Sequence, residues 1–232
     1  MSSGRKAGLV ESEAGLLMVP NTHPGKLIVM EGIEGAGKTT QLTLLQNWLE
    51  AQGYAVNYTR RRTSKLVAKA IERAKATKSL TPVTYSLIHA ADFADILENE
   101  IIPALKAGII VIADRYVFTS FARDVVRGNE RNWVRKLYSF ATAPDALIYL
   151  DVPIHVSFAR TPPQRIQEFY DAGLDTGLHP DPAECFKLFH SKIRDEFTNH
   201  MLHEFGFFIL DGTEPIHVVQ HKLRDYVKQL LG

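Results

Sequence analysis

Along this chain, short runs of consecutive apolar residues alternate with longer stretches in which apolar positions recur every three or four residues. The short runs predict buried strands at residues 26–30, 109–113, 146–151 and 207–210. A fifth, residues 54–59, alternates apolar and polar side chains as a half-covered strand would. Between them lie helical patterns. Leu42, Leu44, Leu45, Trp48 and Leu49 recur at helical spacing over 41–51. Further helices are predicted at 64–78, with Ser64 as its cap, at 82–107 with a break near Pro103, and at 118–139 with a break near Gly128. Others are expected at 153–160, 182–205 and 215–231. Strands that alternate with helices predict an α/β domain over 26–232: a five-stranded parallel sheet between two helical layers, its strand carboxyl ends along one rim. Residues 1–25 read as a flexible arm, and 161–182, rich in Pro, Gly and Asp, as a mobile connection with a short helix around 165–172.

Composition narrows the setting. A chain of 232 residues is long enough to bury a substantial core. Its net charge of +1 gives no bias toward nucleic acid or a membrane surface. The single Cys185 excludes an internal disulfide framework and suits a reducing, cytoplasmic location. Apolar runs all fall short of the roughly 20 residues of a membrane span.

Chemistry concentrates at the rim. The first strand delivers Gly32-x-x-x-x-Gly37-Lys38-Thr39, followed directly by a helix, and that context makes the pattern a phosphate-binding P-loop. Gly32, Gly35 and Gly37, with Ala36 between them, let successive amides converge on phosphate oxygens. Lys38 would reach the β- and γ-phosphates, and the hydroxyl of Thr39 would ligate Mg²⁺. The third strand delivers Asp114-Arg115-Tyr116. Asp114 is either the carboxylate such an enzyme needs near its metal or an ordinary strand-end cap. Arg115 offers a fork suited to two phosphate oxygens. Glu34, inside the loop, is expected against an Arg or solvated Mg²⁺. Of Arg60, Arg61 and Arg62, at least one should meet an acceptor phosphate. Arg160 and Arg165 flank a connection able to close over the γ-phosphate.

These residues resemble the thymidylate kinase family of P-loop nucleoside monophosphate kinases. The matching stretches are residues 31–41, Thr59-Arg60, Ile102-Pro103-Ala104-Leu105, Asp114-Arg115-Tyr116, Pro144-Asp145 and Leu150-Asp151-Val152-Pro153, in the family's order. The resemblance implies the three-layer P-loop kinase fold with a lid at about 160–180, use of ATP and Mg²⁺, a nucleoside monophosphate acceptor and a homodimer. By position it assigns Gly32 to Thr40 to the ATP phosphates, Thr39 and Asp114 to the metal, and Asp211 to an adenine-facing loop. Arg60 and Arg115, with His89, Phe93, Thr119 and Arg123, fall to the acceptor, and Arg160 and Arg165 to the lid.

Departures cluster at the acceptor. The family's Thr-Arg-Glu-Pro-Gly-Gly is here Thr59-Arg60-Arg61-Arg62-Thr63-Ser64, and the Arg expected at the thymine edge is Phe93. His89 stands where an aromatic is usual, and Ala122-Arg123-Asp124 replaces Ala-Tyr-Gln. A site that loses a base-reading donor loses discrimination, so an altered thymidylate preference is expected. Two other readings stay open: a nucleoside kinase with a hydroxyl acceptor, and a catalytically weak nucleotide-binding regulator.

Overall fold

The computed structural model describes residues 10–11, 17–60 and 64–232. The apolar runs form β1 (Leu27–Glu31), β2 (Val56–Arg60), β3 (Ile110–Asp114), β4 (Ala146–Asp151) and β5 (Phe208–Asp211). They pair in parallel in the order β2-β3-β1-β4-β5. Every residue of β1 and β3 is buried, as continuous hydrophobicity requires of strands covered on both faces. Register brings the strand ends level: Met30 and Arg60 both pair with Asp114, Glu31 with Tyr149 and Asp151 with Asp211.

The helices are α1 (Lys38–Ala51), α2 (Ala68–Thr77), α3 (Pro82–Ile96), α4 (Val117–Val126), α5 (Arg131–Leu137), α6 (Ile154–Arg160), α7 (Pro163–Ile166), α8 (Pro182–Glu196) and α9 (Ile216–Leu231). The break expected near Pro103 does not occur. Instead α3 runs into a π-turn at Leu97–Ile101 and resumes over Ile102–Lys106, with Pro103 in the first turn of the resumed helix. A missing N–H is harmless there. A second π-turn, Phe197–Met201, prolongs α8. Ser64 does not cap α2; its amide donates to Asp92 Oδ1 and the helix begins four residues later. The helix expected around 165–172 is replaced by the single turn of α7 and a 3₁₀ turn at Leu174–Thr176.

The arm expected over 1–25 is seated on the body from Met18 onward, where that side chain is buried. Val19 exchanges backbone hydrogen bonds with Ala141 and Ala143 (3.0 and 2.7 Å). The carboxylate of Asp145 then accepts from the Leu27 amide (2.8 Å) and Asn21 Nδ2 (2.6 Å), fastening this segment to the start of β1. Because the Leu27 amide is buried, its donor has no water to fall back on. Asp145→Ala is expected to lower stability by about 2 kcal/mol, read from the urea midpoint; an unchanged midpoint would remove Asp145 from the account.

Candidate active site

Between β1 and α1 the chain makes a tight cradle. Gly32, Gly35 and Gly37 have φ of 148°, 70° and 99°. A Cβ on Gly32 would stand 2.6 Å from Leu150 O, and one on Gly35 2.4 Å from Ser157 O. Gly37 leads into α1 without any side-chain cap, which leaves the first-turn amides of the helix available to an anion. Lys38 Nζ donates to Gly32 O (3.0 Å) and Ile33 O (2.9 Å). Burial together with the nearby Arg115 charge lowers Lys38 to about 8, against the pull of Asp114, Glu34 and Glu31.

Thr39 and Asp114 meet as expected. Thr39 Oγ1 donates to Asp114 Oδ2 at 2.7 Å, and Tyr58 O–H donates to the same oxygen at 3.1 Å. A hydroxyl and a carboxylate are the hard oxygen donors that suit Mg²⁺ completed by phosphate and water. Among the described residues no group of three or more His, Cys, Asp or Glu is placed to hold a metal by itself.

Arg115 has φ of 75°, a left-handed conformation that costs a non-glycine residue on the order of 1 kcal/mol. Its guanidinium explains the tolerance, donating to Gly32 O (3.0 Å), Thr119 Oγ1 (3.2 Å) and Glu34 Oε2 (2.7 Å). Glu34 therefore faces an Arg. Burial would raise its carboxyl, but the charges of Arg115 and Lys38 outweigh this and bring it to about 2. Thr119, assigned to the acceptor, lies one layer back: its hydroxyl and amide donate to Glu31, which also accepts from the Tyr116 amide. Burial raises the Glu31 pKa against these bonds.

Three hollows that share walls run along the rim. The central one, about 480 Å³, is lined by Gly35, Lys38, Thr39, Asp114, Arg160 and Arg165, among others. On one side it shares Glu34, Arg115 and Arg165 with a cavity of about 200 Å³ that also holds Tyr85, His89, Arg123 and Asp171. On the other it shares Gly37, Thr40 and Arg160 with a hollow of about 220 Å³ closed by Ala36, Gly212 and Ile216. Arg160 donates to Gly212 O (2.9 Å) at that junction. Arg165 reaches across the second junction while bonded to Glu168 (3.0 Å).

Not every candidate joins this trench. Asp211 turns away: its carboxylate accepts from the amide and hydroxyl of Thr213, and Gly212 and Glu214 line the hollow instead. Phe93, half-buried, packs edge-to-face on Tyr116 (4.9 Å) against the core, beside a small void of about 20 Å³ that His89 and Arg115 also line. His89 does face the 200 Å³ cavity, ring against Tyr85 at 4.3 Å. Arg123 faces it too, bonded to Asp171 Oδ1 (2.7 Å) and Tyr170 O (3.0 Å). Arg60 ends β2 beside Asp114; its side chain, with Arg61, Arg62 and Thr63, lies outside the described residues. The sequence reading passed over Glu31, Tyr58, Tyr85, Asp171 and His190. Of these only Glu31 left a trace, as the acid opening the glycine motif.

A glycine cradle, an uncapped helix start, a hydroxyl–carboxylate pair and bridging arginines define a P-loop phosphotransferase. The sequence profile of the thymidylate kinase family matches residues 30–223. The chain is 38% identical to a probable thymidylate kinase 2 of Saccharolobus solfataricus over 201 residues, 86% of this chain and 94% of the relative. It is 31% identical to a probable thymidylate kinase of Thermococcus kodakarensis over 88% of this chain and 98% of that one. Against a thymidylate kinase of Thermoanaerobacter sp. (strain X514) the figures are 29%, 89% and 99%. The chain belongs to the thymidylate kinase family, and with it to the ATP-dependent nucleoside monophosphate kinases.

His190 provides a test of how dry the back of the site is. Burial, with the charges of Arg123 and Arg115, lowers its pKa to about 3 from the ordinary 6.5. The neutral ring contacts Asp171 O at 3.1 Å through Nε2. Between those values the unfolded chain takes up a proton that the folded one refuses. Stability conferred by the neutral ring is therefore present above 6.5 and falls with acidification at up to about 1.4 kcal/mol per pH unit. His190→Gln should flatten the slope of stability against pH in that window; an identical slope would show that His190 titrates normally.

Proposed function

We propose that this enzyme transfers the γ-phosphate of ATP, bound with Mg²⁺, to the phosphate of dTMP. The observation that carries the reading is the sharing of Arg115 and Arg165 between the central hollow and the 200 Å³ cavity, an arrangement that would let two phosphates meet end to end. Loop amides and Lys38 would hold the β- and γ-phosphates, with Thr39 and Asp114 on the metal. The metal supplies charge neutralisation across the transferred group. Arg115, Arg160 and Arg165 would orient donor and acceptor in line and exclude water. The hollow beside Gly212 is left for the adenine.

A hydroxyl acceptor would require a carboxylate base. Glu34 is held at about 2 by its cations, and Asp171 is held well below the usual range by the Arg123 charge despite burial. Both are poor bases, so an acceptor phosphate, which needs no deprotonation, fits this cavity better. A non-catalytic regulator has little support, because Lys38, Thr39, Asp114 and Arg115 are all assembled.

The enzyme is read as a cytoplasmic homodimer, with the exposed Val83 and Leu87 on one face of α3 as the surface for a second copy. Light scattering on the eluting peak measures the dimer directly. No helix among the described residues is long and apolar enough to cross a membrane.

ADP release in the presence of ATP, Mg²⁺ and a panel of monophosphates tests the activity, and Lys38→Ala should reduce kcat by about a hundredfold or more. With Phe93 packed on Tyr116 at that position, no Arg there rejects an amino group in place of the thymine carbonyl. dCMP should therefore come within about a hundredfold of dTMP in kcat/KM. Selectivity above about ten-thousandfold would show that another donor reads the base.

A further inference from the structure

The connection expected to be mobile is two structures in sequence. Its first part, residues 160–168, carries Arg165, half exposed over the trench and tied to Glu168 of the same part (3.0 Å) and more loosely to Asp171 of the next (3.6 Å). Its second part, residues 170–177, is anchored. Arg123 in the last turn of α4 and Arg127 just past its end, four residues apart, meet Asp171 and Asp175, also four residues apart. At Gly173 (φ 76°) the segment lies so close to Phe189 that a Cβ would stand 2.3 Å from the ring. Tyr170 O–H accepts from the Leu80 amide (3.0 Å), just ahead of α3.

Arg127 holds this second part together without reaching the trench. All three guanidinium nitrogens are engaged: Nε and Nη2 on Asp175 (2.7 and 3.1 Å), Nη2 also on Tyr170 O (2.7 Å), and Nη1 on Arg123 O (3.2 Å). The side chains of Arg127 and Asp175 are only 1% and 10% exposed. The guanidinium lies over the Tyr85 ring at 4.0 Å and against Phe189 at 4.9 Å. Tyr85 in turn lines the 200 Å³ cavity, as do Asp171 and Arg123. A buried ion pair is a poor route to stability, since apolar replacements of similar volume often serve as well. Its fork geometry and its stacking on an aromatic face can be supplied neither by an apolar pair nor by a lysine.

We propose that Arg127, through Asp175, is a positioning residue for the acceptor: it fixes the Tyr85 ring and the Tyr170–Asp171 wall of the cavity. This rests on the assignment of that cavity to the acceptor monophosphate.

The test compares the full-length enzyme with Arg127→Met combined with Asp175→Leu, which leaves no orphaned buried charge, and with Arg127→Lys, which keeps the charge but loses the fork. In both, KM for dTMP should rise about tenfold or more while KM for ATP stays within about twofold. Amides of residues 170–177 should exchange hydrogen faster in both variants than in the unaltered enzyme. A folded variant with unchanged dTMP KM, or an equal rise in both constants, overturns the positioning role. Arg127→Lys carries the test if the double variant does not fold. Tyr85→Leu separates the two layers of the claim. If it raises the dTMP KM while the Arg127 variants do not, only the role of Arg127 falls. If it too leaves the dTMP KM unchanged, the cavity assignment falls and this proposal with it.

Discussion

A guanidinium with three different partners ties the centre of this molecule together. Arg115 joins the glycine loop through Gly32 O and Glu34 to the start of α4 through Thr119. Behind it the buried Glu31 accepts from the amides of Tyr116 and Thr119 and from the Thr119 hydroxyl, serving the buried first turn of α4 as a capping side chain would. Loop, third strand and fourth helix therefore cannot shift independently. The left-handed backbone at Arg115 is the local cost of aiming that fork back toward the loop.

The same arrangement decides what kind of chemistry the rim can support. Carboxylates here are consumed by cations: Glu34 by Arg115, Asp171 by Arg123. Asp114 accepts from two hydroxyls. Glu34 and Asp171, so paired, hold charge in place and make weak proton acceptors. Phosphoryl transfer between two anions needs placement and neutralisation more than proton abstraction, which is what this set provides.

Much of this was legible in the sequence because it is written in local patterns. Four apolar runs and one alternating segment specified the strands to within a residue or two, and the loop motif between a strand and a helix specified the phosphate site. Asp114 and Thr39 could be paired on paper since both follow strand ends on one rim. What stayed hidden depends on contacts distant in the chain. Nothing near Arg127 announces Asp175, 48 residues later, and Tyr58 looks like any strand aromatic until β2 lies beside β3. Asp211 misled because a strand-end acid next to Thr213 serves its own turn as readily as a ligand. Pro103 misled because a π-turn upstream resets the helix and turns a breaker into a starting residue.

The ammonium of Lys38 rests on carbonyls of the very loop that would receive phosphate. Any incoming anion thus enters as a competitor and must draw that cation away from two internal acceptors. A singly charged ion has little to offer in exchange, whereas adjoining phosphates can engage the lysine and the free amides of α1 together. The loop in this way sorts visitors by valence before any base is read.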